Sequence, residues 1–372
     1  MWPLLILAVG QATATLAQNC TLDDSYRARI RSPDDLTDLP QDCPRLDGRL
    51  SIDNEYSGPF HLPNVVNITG QLNSEEDDYG DQIGITSFDM PDLEEVGYLE
   101  LASMPNLTEW STPNLKTTEG LDIKVPTRIS LDFPALESAD HVEITTNASA
   151  ISFPALKNVP GSLTIDGFGR GHKTAQYALN ISLPALQHTG MVTISGDASG
   201  LSLPELISIT GEHNYGNSYS RFHLLGTLQA MALPKLGFVN GNLAFSGNIS
   251  SLSLPRLRKV TALFRITAHN PLAIDLPLEE ADSISLDGLI ESIHFPNLRR
   301  WRRFSVKSDI YLDCDDLHRR LNETVDDSPG EFECTTAGPL SRDPPEDVAG
   351  RFAVGAGAMV AAAVTAMSFI LL

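Results

Sequence analysis

Apolar and polar residues alternate in short bursts along most of this chain, and the bursts return at a nearly constant distance. Ile129, Leu131 and Phe133 alternate with Ser130 and Asp132, and Ile181/Leu183, Leu201/Leu203 and Leu252/Leu254 repeat the pattern. Alternation with period two predicts short strands with one apolar face and one wet face. Prolines punctuate the bursts, at Pro63, Pro91, Pro105, Pro113, Pro134, Pro154, Pro184, Pro204, Pro234, Pro255, Pro277 and Pro296. Proline has no N–H for a ladder and fixes φ, so each one predicts a strand end and a corner. A leucine two residues later (Leu136, Leu156, Leu186, Leu206, Leu236, Leu257) is expected to turn back into the core.

A second burst begins eight or nine residues after most of the prolines. Its expected inward pairs are Leu121/Ile123, Val142/Ile144, Leu163/Ile165, Val192/Ile194, Leu243/Phe245, Phe264/Ile266 and Phe304/Val306. Gly120, Gly161, Gly190, Gly211 and Gly241 stand near its start, where a tight turn calls for positive φ. From Pro113 onward the prolines are 21, 20, 30, 20, 30, 21, 22 and 19 residues apart. A base period near 20 with two ten-residue insertions is the arithmetic of a solenoid. The fold expected is all-β, a right-handed parallel β-solenoid of about 11 rungs, roughly 50 Å long at the usual ~4.8 Å strand spacing.

Such a coil has two open sheet edges that invite pairing with other chains. The four cysteines fall just outside the first and last rungs as two sequence-local couples, Cys20 with Cys43 and Cys314 with Cys334. Three connectivities are available, and the local one closes the shortest loops. Zinc is the alternative use, but neither couple has C-x₂₋₄-C spacing. The expected organisation is a segment 1–17 that is removed, an N-terminal cap 18–57, a repeat solenoid 58–308, a C-terminal cap 309–336 and a spacer with an apolar tail, 337–372.

The 372 residues hold 26 Lys plus Arg against 48 Asp plus Glu, a formal net charge of −22. That balance excludes nucleic-acid binding, which releases counterions from a basic surface, and an electrostatic grip on anionic lipid by the whole chain. The 42% apolar share suffices for a core, and the 7% aromatic share fits one built of aliphatic ladders.

The two ends indicate a compartment. Residues 2–17 are apolar and then small, with Thr15 and Ala17 at the −3 and −1 positions of a signal-peptidase site. Phe352 to Leu372 is 21 residues without a charge, and Thr336, Ala337 and Gly338 supply a small-residue triplet upstream of the polar spacer Pro339 to Arg351. This is the layout of a glycosylphosphatidylinositol (GPI) signal, with a tail-anchored helix as the alternative. Asn-X-Ser/Thr occurs at Asn19, Asn67, Asn106, Asn147, Asn180, Asn248 and Asn322. Asn147 and Asn248 each precede their rung proline by seven residues, so their glycans are expected on equivalent corners, leaving another sheet face bare for a partner.

Catalytic chemistry finds little support. A glycosidase needs two carboxylates close together on one face. The densest acidic run, Glu75, Glu76, Asp77, Asp78 and Asp81, sits in the long interval between Pro63 and Pro91 and reads as a solvated loop. Gly171-His172-Lys173 falls in one insertion with no aspartate pair at matching phase. The other insertion, from Glu212 to Tyr219, offers His213, Tyr215 and Tyr219, polar aromatics suited to stack on a sugar ring; a plain surface excursion is the alternative. Arg299, Arg300, Arg302 and Arg303 surround Trp301 and are expected on the wet face of the last rung, with a dibasic processing site or a contact with anionic headgroups near the anchor as the alternatives. No catalytic residue, metal ligand or cofactor is expected.

The P-x-L-x-x-V-x-G-x-L-x-I pattern resembles receptor L-domain-like leucine-rich repeats. With the signal, the cysteine couples, the sequons and the tail, the chain from about Cys20 to Leu372 resembles the fungal GPI-anchored cell-wall organisation (sporulation and wall-integrity) family. The resemblance implies a non-catalytic glycoprotein on the outer face of the plasma membrane or in the wall, with wall polysaccharide or surface proteins as partners. A polysaccharide-binding adhesin and a wall-remodelling glycosidase or transglycosylase are the alternatives. A long Ser/Thr-rich stalk before the anchor is missing, and Pro277-Leu278 departs from the Pro-x-Leu spacing.

Overall fold

The computed structural model describes residues 19–21, 27–39, 43–74, 82–167, 179–196, 198–210, 220–226, 230–324 and 330–338. Within them the chain is nearly all-β, its parallel strands stacked as a solenoid of about eleven turns. A broad sheet runs the length of the coil. It begins with Asn19–Thr21 and Arg27–Ile30, passes through strands such as Asn67–Ser74, Thr117–Val125 and His188–Ser195, and ends with Arg300–Ser308 and Glu331–Thr336. A narrow second face is made of short ribbons. Ser57–His61, Gly84–Asp89 and Glu109–Ser111 form the first, Ser130–Asp132, Ala150–Ser152, Leu179–Ser182 and Ala198–Ser202 the second, Ala230–Ala232 and Ser251–Ser253 the third.

Register makes the core. Leu72, Leu99, Leu121, Val142, Leu163, Val192, Phe222, Leu243, Phe264, Ile284, Phe304 and Phe332 are successive partners across the broad sheet. Every expected inward pair of the second burst is buried. Each such aliphatic side chain contributes about 1.5–3 kcal/mol by leaving water. A single rung cannot hide its own apolar face, so the ladder and the stack form together.

The prolines do what their chemistry requires. Leu136, Leu156, Leu186, Leu206, Leu236 and Leu257 are all fully buried. Their N–H groups donate to the carbonyls of Phe133, Phe153, Leu183, Leu203, Leu233 and Leu254, at 3.1–3.4 Å. Each corner is thus a β-turn with proline at its second position, where a fixed φ is favourable.

An aromatic column is threaded through the first half of the core. Phe60 stacks on Phe88 at 5.0 Å, Phe88 on Trp110 at 4.6 Å and Phe133 on Phe153 at 4.8 Å, with Trp110 and Phe133 tilted at 5.7 Å between the two stacks. Tyr56 opens the column; its buried hydroxyl donates to the Pro59 carbonyl at 2.6 Å, and burial followed by the charge of Asp35 pushes its pKa up to about 12.

The glycines need correction. Of those expected at positive φ, Gly241 has it, at 134°. Gly120 and Gly161 do not, and serve close approach instead: a Cβ at Gly120 would lie 2.5 Å from Cδ1 of Tyr98, and one at Gly161 2.4 Å from Cε1 of His141. An aromatic side chain of the preceding rung lies over each glycine. Gly190 has no positive φ either, and Gly211 lies outside the described residues.

Both end segments belong to the stack. Asn19–Thr21 pairs with Arg45–Asp47, and the disulfide Cys20–Cys43 joins the first strand to the chain just before Arg45, with Cα atoms 5.9 Å apart. At the other end the helix Cys314–Thr324 buries Leu317 and Leu321, and Cys314 is bonded to Cys334, the last partner in the inner ladder after Val306. The cysteines pair as the two local couples, so each disulfide closes a terminal edge.

Candidate functional site

The outward face of the broad sheet is a set of columns in which side chains about 20 residues apart in sequence become neighbours one strand apart. Glu100, Asp122 and Glu143 are direct partners on the early rungs, followed by Thr164 and Thr193. Tyr98 stands beside this column, 47% exposed, its ring over Gly120. Gln71 donates to the Glu100 carboxylate, and Lys124 pairs with Asp122 at 2.6 Å. One Asp122 oxygen is buried with no donor. A cavity of about 540 Å³, lined by Gly48, Arg49, Gly70, Gln71 and Tyr98, opens beside the ring.

A second feature repeats along the edge of the same sheet. The ladder slips register at the same place in several rungs, between Ile68 and Gln71, Ser138 and His141, Val159 and Ser162, and Val260 and Leu263. Such irregularities part the strands and re-aim side chains. Two cavities lie there at equivalent rung positions with different charge. The N-terminal one, about 360 Å³, is lined by Arg45, Asn67, Thr69, Glu95, Thr117 and Glu119 among others; Asn67 donates to Glu95 and keeps a buried Oδ1 with no donor. The C-terminal one, about 440 Å³, is lined by Lys259, Glu280, Asp282, Arg299, Arg300 and Arg302, with Trp301 and three smaller residues. There Lys259, Glu280 and Arg300 are register partners, and Glu280 pairs with Lys259 at 2.9 Å and with Arg300. The Lys259 hydrogen bond, outweighing desolvation and aided by both cations, holds the Glu280 carboxyl below its ordinary value.

The sequence-predicted positions distribute as follows. Asn147 and Asn248 both lie at the corner leaving the broad sheet, just beyond Ser138–Thr146 and Gly241–Gly247. Asn106 is exposed in a Pro-x-Leu turn, Asn180 on the outer side of the narrow face, and Asn322 on the C-terminal helix; Asn67 begins a broad-sheet strand. Asn19 is in the first strand. Thr336 ends the last strand, its hydroxyl donating to Ile310 and accepting from the Leu312 N–H, and the Ala337 N–H reaches the Ser308 carbonyl, whereas Gly338 has open space around it. Arg299, Arg300, Arg302 and Arg303 are exposed and Trp301 is buried, as the rung phase requires. The loop with His213, Tyr215 and Tyr219, the acidic run 75–81, the Gly-His-Lys string, residues 1–17 and the tail from 339 on lie outside the described residues. Among the described residues, no group of three or more His, Cys, Asp or Glu is placed to hold a metal, and no helix is long and apolar enough to cross a membrane.

Sequence reasoning passed over Tyr98 and its cavity because Tyr98 occupies an ordinary outward strand position. A usable signal was present: a tyrosine one rung before a strand glycine, the pairing in which a ring covers the bare backbone.

Compared with known proteins, the chain matches no family model, no curated protein and no solved structure.

Proposed function

We propose that this chain is a non-catalytic, GPI-anchored cell-surface glycoprotein of the fungal cell-wall organisation type, an interaction scaffold that docks its partner on the outward face of the broad sheet. The observation that carries this reading is the distribution of sequons: between Glu95 and Ser308 all four, Asn106, Asn147, Asn180 and Asn248, lie on turns, corners or the narrow face. Glycans at those sites would leave the broad sheet bare from Glu95 onward, whereas Asn67 and Asn19 stand on its first strands. Two disulfides support passage through an oxidising compartment. Of the three anchor candidates Gly338 is favoured, since Thr336 and Ala337 are tied into the sheet. Glu137 and Glu280 are held below the ordinary carboxylate range by their lysine partners, the opposite of what a general acid requires.

Two glycan insertions test the docking face. Ser162→Asn creates an Asn-Leu-Thr sequon on the broad sheet, and Ala150→Asn creates an Asn-Ile-Ser sequon on the narrow face. In fungal cells dependent on this chain, the first substitution should sensitise growth to wall-perturbing dyes and the second should not, at equal surface levels. Equal behaviour of the two would overturn the assignment of the face.

The Tyr98 cavity favours a second reading, a wall-polysaccharide-binding module, because an exposed ring beside amide and carboxylate groups suits a sugar. Incubating the full chain with glucan, chitin and mannan separates the readings. Retention lost in Tyr98→Ala establishes the binding module, shortened or transferred polymer establishes an enzyme, and neither leaves the scaffold.

A further inference from the structure

Charge is unevenly spread along the outward face of the broad sheet. On the strands Glu95–Ala102, Thr117–Val125 and Ser138–Thr146 that face carries six carboxylates against one lysine, Lys124. On the rungs Lys259 to Ala268, Glu280 to Gly288 and Arg300 to Ser308 it carries six cations against three carboxylates. Between the two blocks the outward positions Thr164, Thr193 and Ala244 are small and uncharged. Register relates the blocks through one line, midway between the strands His188–Ser195 and Ser220–Gly226. Glu143 lies on the third strand before that line and Arg265, in the same column, on the third after it. Lys124 and Asp287 share a column and are each on the fourth strand from the line. Glu95 and Arg300 share another and are each on the fifth. Glu143 and Arg265 are both exposed, and neither has an ion-pair partner among the described residues.

We propose that the broad face takes a second copy of this chain, laid face to face with the coil axes antiparallel. The inference rests on the reading of that face as the docking surface and names its occupant. A two-fold axis running along the strands at that line keeps each column opposite itself and reverses the order of the rungs. Such a contact is self-complementary, so every pair in it occurs twice. It brings Glu143 to Arg265, Lys124 to Asp287 and Glu95 to Arg300. Tyr98, 47% exposed, is set opposite Arg303, and a guanidinium is attracted to an aromatic face. Glu119 meets Asp282, whose charge Arg302 already offsets at 2.8 Å. A parallel arrangement sets acidic rungs on acidic rungs and is opposed by the same charges. Ten strands about 4.8 Å apart and about six residues long present roughly 900 Å² per copy, where a stable interface needs ~800 Å². The paired span, Glu95 to Ser308, is the part of the sheet that the sequons leave bare, and Asn67 lies beyond it.

The test is a charge exchange in the full glycosylated chain, solubilised in detergent and followed by sedimentation at low salt, where exposed charges are least screened. Glu143→Arg and Arg265→Glu each create two like-charged contacts in the dimer. Each should weaken dimerisation about tenfold with the melting temperature unchanged. The double variant restores opposite charge at both contacts and should return to the wild-type affinity. Asp132→Arg, the same change of charge on the narrow face, should leave the dimer unmoved. A wild-type chain that stays monomeric, a double variant no better than the singles, or a loss in Asp132→Arg would each overturn the interface. Ser162→Asn separates this result from the docking reading, because Ser162 lies within the paired face. A monomeric chain whose Ser162→Asn variant still sensitises growth would keep the docking face and remove this occupant. Rescue by the double variant, with growth indifferent to Ser162→Asn, would keep the dimer and remove its role in the wall.

Discussion

Residues 82–167 and 230–308 are two stretches of one coil with the same interior and opposite exteriors. In both, ladders of Leu, Ile, Val and Phe stack in register and a Pro-x-Leu turn closes the corner in most rungs. Outside, the first stretch has 4 basic against 13 acidic residues, a net of −9, and the second has 10 against 6, a net of +4. Equivalent positions illustrate the change: Asn67, Glu95 and Thr117 begin three early rungs where Lys259, Glu280 and Arg300 begin three late ones. A solenoid separates the two jobs. Inward positions are constrained by the neighbouring rungs, while outward positions face water and can take up any charge that a partner calls for.

The strongest way to break the comparison is to cut the shared interior. Leu163→Ala and Ile284→Ala remove fully buried side chains from one inner ladder in the two stretches. Each should cost about 2–5 kcal/mol in denaturant unfolding. A loss below about 1 kcal/mol at one of them would mean that the two halves do not share one continuous core.

A smaller effect is expected at the glycines. Gly161→Ala forces a Cβ to 2.6 Å from the Asp140 carbonyl oxygen as well as against the His141 ring, so backbone must shift. Gly241→Ala instead places a side chain at φ 134°. Both should destabilise by about 1–3 kcal/mol. Removing the ring, as in His141→Ala combined with Gly161→Ala, should restore only part, because the carbonyl stays. Full restoration would show that ring crowding alone requires the glycine.

The smallest expected effect is electrostatic. Glu280 and Glu137 have folded-state pKa values below their ordinary ones, so their contribution is present above the unfolded value and is lost as pH falls through the lowered folded value. Acid should therefore loosen Arg300–Ser308 through loss of the Glu280 pairs. In the early rungs Glu137 is paired with Lys157 alone, where Glu280 has both Lys259 and Arg300. Hydrogen exchange between pH 7 and pH 3.5 should show protection falling more at 300–308 than at 117–146. The opposite order would remove charge polarity as a difference between the two regions. Glu137 is exposed and Glu280 only half-buried, so the change is small.

By itself the sequence determined the rung. Alternation identified the inward residues, proline and leucine the corner, the 20-residue period the coil, and short loops the cysteine partners, because each of these depends on residues close together in the chain. Its reading of Gly120 and Gly161 as turn glycines failed for the complementary reason: the side chains that demand them, Tyr98 and His141, are 20 or more residues away. Only the stacking decided that Phe60, Phe88, Trp110, Phe133 and Phe153 form one column, that Glu280 lies between Lys259 and Arg300, and that the Trp301 indole ends up without an acceptor. Those encounters depend on register, and a slip of one residue would send every side chain to the other face.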